Sequence, residues 1–164
     1  MILGQRMADA PDSGALPADF LPSVLLQSGR PALILPHAGE FAAVGRTVLV
    51  AWKESREAAR AVSSALPWLR RARQVHVISY GEAAAESLQK LAGYLKIHGV
   101  TADAHKGGPE EDDIGNLLLS RAADVGADLL VMGCYGHSRA REWVMGGATR
   151  TLLQTMTIPV WMSH

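Results

Sequence analysis

Between Gly133 and Thr149 the chain gathers residue types suited to holding an anion. The segment reads Gly133, two residues, Gly136, nine residues, Gly146, and then Gly147, Ala148 and Thr149 opening a predicted helix. Glycine admits positive φ and has no Cβ to keep a phosphate away from the backbone amides. A helix N-terminus adds oriented N–H groups and a partial positive charge. His137, Ser138, Arg139 and Arg141 stand inside the loop, with Thr149 and Arg150 on the first turn of the helix. The forked donors of arginine clamp phosphate oxygens, so this set suits a di- or triphosphate. The plainer alternative is that the glycines only turn the chain and the arginines are solvated.

Other chemistries find less support. There is no G-x-x-x-x-G-K-[ST] loop and no Ser-His-Asp order at nucleophile-elbow spacing, so a fast NTPase or a hydrolase is not expected. No catalytic residue is assigned, and at most a slow ATPase is expected, for which His137 and Ser138 alone stand near the loop. His76, His98 and His105 fall on different predicted elements without paired ligand spacing, which reads as ordinary surface or core histidines and no metal cage. Magnesium carried by phosphates is the one cation compatible with this set. Glu110 to Asp113 open a helix, where acidic residues are structural. Cys134, the one cysteine, reads as a small packing residue rather than a reactive thiol. Trp68, Trp143 and Trp161 read as core or interface residues, whereas Trp52 ends a strand and could flank a base.

The glycine segment has to be positioned by what surrounds it. From Thr47 onward short apolar runs alternate with longer amphipathic segments, the pattern of a parallel sheet covered by helices on both faces. Strands are predicted at 47–52, 74–80, 100–106, 127–133 and 158–164. Helices are predicted at 56–71 behind the N-cap Ser55, at 83–98 ending at Gly99, after Pro109 and the acidic run to Asp113, and at 147–156. Residues 100–106 alternate apolar and polar and predict an edge strand, whereas 127–133 has no polar face and predicts a central one. Five strands and four helices in alternation make a doubly wound, Rossmann-like α/β domain over 46–164. In such sheets ligands sit outside the carboxyl ends of the strands where the chain order reverses, which is where the glycine segment must lie.

The front of the chain, 1–45, repeats part of this plan. MILGQR, the amphipathic FLPSVLLQSG at 20–29 and RPALILPH at 30–37 follow the strand, helix and proline-led strand of 128–164 in order. LLQSGRPALIL at 25–35 echoes LLQTMTIPVWM at 152–162. Residues 1–37 therefore read as the last third of a first copy, followed by a linker. Such a half-copy is expected to expose a strand edge and one uncovered sheet face, and hence to form a homodimer or higher oligomer.

The element order and the glycine spacing together resemble the universal stress protein family, over Val48 to Ser163. The front piece resembles its tandem members, which carry two such domains in one chain and pair their two fifth strands antiparallel. Carried over, this implies that Ala32–Leu35 pairs with Val160–Ser163. The nucleotide-binding branch of the family holds ATP with the adenine near the ends of the first two strands and the phosphates on the glycine loop. The resemblance implies Ala51, Lys53, Tyr80, Met132, Gly133, Gly136, His137, Ser138, Arg139, Gly146, Gly147, Ala148 and Thr149 as nucleotide contacts, beside Trp52. Two positions depart from the family pattern: Lys53 stands where an acidic residue is usual, and Gly147 where Ser or Thr follows the third motif glycine. The implied role is a stress-response sensor acting through dimerisation and partners; a dimerisation module with no nucleotide is the alternative.

Bulk composition agrees with this reading. The 164 residues are 48% hydrophobic and 20% charged, as in a globular domain with a sizeable core. Lys and Arg balance Asp and Glu at 16 each, leaving no net field to draw the chain onto nucleic acid or an anionic membrane. A lone cysteine fits a reducing compartment, and neither a signal-peptide core nor a run of about 20 apolar residues is present, so a soluble cytoplasmic protein is expected.

Overall fold

The computed structural model describes residues 1–6, 17, 19–109, 113–136 and 147–164. Its elements are β1 (Ile2–Gly4), α1 (Phe20–Gln27), β2 (Ala32–Leu35), β3 (Thr47–Ala51), α2 (Arg56–Leu69), β4 (Gln74–Ser79), α3 (Ala84–Ile97), β5 (Asp103–Lys106), α4 (Ile114–Asp124), β6 (Leu129–Gly133), α5 (Gly147–Thr155) and β7 (Val160–Ser163). All but α4 lie inside the predicted segments and are one to several residues shorter than them; α4 begins at Ile114, after Pro109 and the acidic run as expected. Asp113 is its N-cap, accepting from the Asn116 N–H at 3.4 Å, so at least the last acidic residue before α4 caps the helix. Ser55 caps α2 in the same way, accepting from the Ala58 N–H at 3.2 Å.

The strands form one seven-stranded sheet in the order β1-β2-β7-β6-β3-β4-β5. The five predicted strands of 46–164 are all parallel, and the two front strands lengthen the same sheet instead of standing apart from it. β1 pairs parallel with β2, and β2 pairs antiparallel with β7 through Ala32 to Met162, Leu33 to Trp161 and Ile34 to Val160. That is the pairing expected from the resemblance. β5 lies at an edge with mostly exposed residues, and β6 lies inside with four consecutive buried ones.

Two apolar clusters cover the sheet faces. Leu25, Ile34, Leu49, Ile78, Leu118, Leu130, Leu152 and Met162 belong to one, beneath α1, α4 and α5. Val48, Val50, Ala61, Val62, Leu88, Leu91, Leu95, Leu129 and Val131 belong to the other, beneath α2 and α3. The uncovered face expected for the front piece shrinks to β1. Both sides of β2 are filled, because Leu33 is buried in the second cluster, beside which Leu35, Trp68 and Trp161 also pack, while Ile2 remains 70% exposed. Trp68 and Trp161 meet edge to face at 6.2 Å, as core or interface tryptophans should; Trp143 lies outside the described residues. Across the base of β3, the Asp128 carboxylate accepts the N–H groups of Gly45, Arg46 and Thr47 at 2.9–3.1 Å. No described helix is long and apolar enough to cross a membrane.

Candidate functional site

Chain order reverses between β3 and β6: from β3 the chain runs outward through β4 and β5, then returns to β6 on the other side. A cavity of about 630 Å³ opens at the carboxyl ends of these strands, the place where open α/β sheets take ligands. Ala51, Trp52, Lys53, Tyr80, Met132, Gly133, Gly136, Gly147, Ala148 and Thr149 all line it. His137, Ser138, Arg139 and Gly146, the remaining expected contacts, lie outside the described residues, as does Arg141. Arg150 is described and exposed, one residue beyond the cavity-lining Thr149.

Part of the wall is apolar: Ala51, Ile78 and Met132 from the strands, with Ile114 and Leu118 from α4. Another part is polar and rich in backbone, made of the turn after β6 and the first residues of α5, where helical N–H groups have no intrahelical acceptor. Trp52 is fixed by its Nε1–H, which donates to Ser87 Oγ on α3 at 2.8 Å. Tyr80 reaches the cavity beside a residue that must be small: a Cβ on Gly107 would lie 2.4 Å from the tyrosine ring.

Gly133 and Gly136 act by close approach and not by positive φ. Among the described residues of the turn the left-handed one is Tyr135, at φ 58°, which is buried, whereas neither Gly133 nor Gly136 is left-handed. A Cβ on Gly133 would lie 2.4 Å from the Ala58 nitrogen, so this glycine lets α2 dock on the end of β6. A Cβ on Gly136 would lie 3.0 Å from Glu57 Oε2. The explanation by free backbone rotation therefore gives way, at these two positions, to one by contact.

Glu57 is the main feature that sequence reasoning missed. It lies on the first turn of α2, is 6% exposed, and lines the cavity. Burial favours its neutral form, but its own backbone N–H, the Ser55 hydroxyl and the charges of Arg56 and His164 outweigh burial and hold the carboxyl below its ordinary 4.5. The Glu57 carboxylate in the cavity wall is thus ionised at neutral pH. Its position two residues after the N-cap Ser55 of the helix following β3 was the available signal, since the first turn of that helix faces the carboxyl ends of the strands. Tyr135, Ser55, Glu54, Ala58 and the α4 pair Ile114 and Leu118 also line the cavity. Glu54 is paired with Lys90 of α3 at 3.7 Å.

Cys134 is buried, and burial, helped by the Glu57 charge, pushes its thiol up to about 12. That suits a packing residue and not a nucleophile. His76, His98 and His105 fall on different elements, as expected, yet His76 and His105 meet across neighbouring strands, Nδ1 to Nε2 at 3.1 Å. No group of three or more possible metal ligands forms among the described residues.

The fold matches solved structures at low identity. A universal stress protein from Archaeoglobus fulgidus DSM 4304 superposes with a TM-score of 0.75 at 19% identity, over 99% of this chain and 61% of that one. The chain therefore spans about three fifths of that relative's length. A universal stress protein in complex with cAMP matches with a TM-score of 0.60 at 21% identity, covering 73% of this chain and 96% of that one. An Arabidopsis thaliana family member with AMP bound matches with a TM-score of 0.51 at 14% identity, covering 70% and 88%. Comparison with curated proteins gives no match. Residues 45–164 match the universal stress protein family as a whole, and on that match, with the fold and cleft just described, the chain belongs to this family.

Proposed function

We propose that this chain binds an adenine nucleotide, ATP in the first place, in the cavity between β3, β4, β6 and α5. The observation that carries this reading is the composition of the cavity wall at the chain-order reversal. An apolar side made of Ala51, Ile78, Met132, Ile114 and Leu118 suits a base, and the glycine turn with the N-terminus of α5 suits phosphates. Family members solved with cAMP and with AMP support an adenine nucleotide. The phosphates would rest on the Gly133-x-x-Gly136-x9-Gly146 loop, with Gly147 offering an amide where a hydroxyl is usual, and magnesium would enter on the phosphates. No described side chain is assigned a catalytic part. The protein would act as a cytoplasmic stress-response sensor through self-association and partners, with β1–α1–β2 read as the end of a first family repeat.

The second reading is a dimerisation module that carries no nucleotide. Lys53 in the cavity wall, at a position usually acidic in the family, favours it. Native mass spectrometry with ATP and magnesium separates the two and reports subunit number as well. Stoichiometric ATP addition that Gly136→Val abolishes supports the nucleotide site. An oligomer that persists without taking up nucleotide at millimolar ATP supports the module instead.

A further inference from the structure

At the far edge of the sheet, on the face covered by α4, β4 and β5 present His76 and His105 side by side. His76 pairs in register with Asp103, and Ile78 with His105. The two rings lie 5.3 Å apart, with His105 Nε2 3.1 Å from His76 Nδ1. α4 completes the group, placing Arg121 Nη2 2.8 Å from His105 Nδ1.

The chemistry of the arginine fixes the protons. A guanidinium only donates, so His105 Nδ1 must hold a lone pair. The His105 proton then sits on Nε2 and donates to His76 Nδ1, which must also hold a lone pair. His76 in turn keeps its proton on Nε2. Every bond in this row requires both imidazoles to be neutral. The rest of the guanidinium is weakly held: Nε is buried with no hydrogen-bond partner, and Nη1 reaches the Asp124 carboxylate only at 4.0 Å.

We propose that Arg121, His105 and His76 form an acid-sensitive latch, in which protonation of His105 breaks a polar contact that fastens α4 to the edge of the sheet beside the apolar packing of Leu118 and Ala122. The described groups that face it are His76 from β4, Asp103 from β5, and Arg121 and Asp124 from α4. Two carboxylates could soften a new positive charge, but Asp103 is 71% exposed and 3.8 Å from His76 Nδ1, and Asp124 is 67% exposed, so solvent screens both. A proton on His105 Nδ1 would remove the acceptor for Arg121 and set a second cation against it.

Burial, followed by the Arg121 and His76 charges, holds His105 below its ordinary 6.5 against an opposing pull from Asp103. The sign follows from linkage. A released α4 leaves His105 to take its proton near 6.5, while the latched state takes it only at lower pH, so acid favours release. The latch is at full strength above 6.5 and weakens as pH falls towards the lowered value, by at most about tenfold per pH unit for one proton.

Release would reach the cavity, because Ile114 and Leu118 of α4 form part of its wall. Gly115 also fits α4 tightly to α5, since a Cβ there would lie 2.5 Å from Thr151 Cβ. This consequence for the ligand rests on the nucleotide reading; the latch itself does not.

Hydrogen exchange of the full chain without nucleotide, at pH 7.5, 6.5 and 5.5 and corrected for intrinsic exchange, tests it. Protection of α4 is expected to fall, by up to about tenfold, between pH 7.5 and 5.5 while α2 and α3 keep theirs. His105→Asn, which offers a carboxamide oxygen in place of Nδ1 and does not titrate, is expected to flatten that pH dependence. Parallel loss in α2, α3 and α4, unchanged α4 protection, or a variant with the native slope would overturn the latch. Should the variant not fold, nitrogen NMR of the native imidazoles decides: both rings carrying the proton on Nε2 at pH 7.5 is expected, and a protonated His105 Nδ1 refutes it. Adding ATP and magnesium at each pH keeps the two ideas apart. A pH-dependent α4 without ATP binding sinks only the nucleotide reading, and ATP binding with a pH-flat α4 sinks only the latch.

Discussion

Gly133→Ala is the substitution on which the close-approach account of the glycine turn stands or falls. The new methyl carbon would sit 2.4 Å from the Ala58 nitrogen, 2.6 Å from the Glu57 carbonyl carbon and 2.9 Å from the Ala58 Cα. Ordinary carbon contacts lie at roughly 3.5–4.0 Å, so the first turn of α2 must move by about 1 Å or β6 must bend. All three contacts are main chain, and no side-chain rotation can relieve them. Overpacking a core costs about 1–3 kcal/mol, and a backbone-on-backbone clash belongs at the upper end. The lower unfolded-state entropy of alanine returns about 0.4–1 kcal/mol, since Gly133 needs no positive φ. A net loss of about 2 kcal/mol remains, which at a urea slope of about 2 kcal/mol per molar moves the midpoint down by about 1 M. Gly4→Ala is the control, because nothing lies within 4 Å of its Cβ position. A Gly133→Ala midpoint within about 0.3 M of the native one, at unchanged slope, would show that α2 is not held against β6 as described.

The other expectations are smaller and independent. Among the described residues Gly136→Ala meets only side-chain ends, the Glu57 carboxylate at 3.0 Å and the Ser55 hydroxyl at 3.6 Å, so its urea midpoint should change by less than about 0.5 M while ATP uptake in native mass spectrometry falls. Asp128→Ala leaves three N–H groups at the base of β3 without their carboxylate and should cost about 2–3 kcal/mol in urea unfolding, against near-neutrality for the exposed Asp124→Ala. Ser55→Ala removes the α2 cap and should cost about 1 kcal/mol by the same assay. The Cys134 thiol, pushed up to about 12 and buried, should resist iodoacetamide at pH 8 in the native state and react readily once urea has unfolded the chain.

Much of the architecture was legible in the amino-acid order because strand and helix periodicities are local. The polar alternation over 100–106 placed β5 at an edge, and the unbroken apolar run at 127–133 placed β6 inside, as each is found. Ser55 announced the start of α2. The echo of 152–162 in 25–35, with the family resemblance, led to the β2–β7 pairing, and the described part of the glycine motif lies in the cavity wall as its spacing after β6 required.

What the sequence could not determine was which side chains meet across elements. Glu57 looks like any acidic residue in a first helical turn, and only the docking of α2 over β6 turns its carboxylate into the cavity beside Gly136. His76 and His105 stand 29 positions apart, and the register of β4 on β5, with α4 laid over both, makes them hydrogen-bond partners. Asp128 falls at the start of the predicted strand 127–133, and only the β3–β6 pairing shows that three amides meet its carboxylate. Among the described residues of the glycine turn, the left-handed one is the buried Tyr135, whose burial offsets a backbone strain of about 1–2 kcal/mol. Periodicity says which face of an element is buried; which residue waits on the opposite face is decided by strand register and helix docking, and those depend on the whole packed chain.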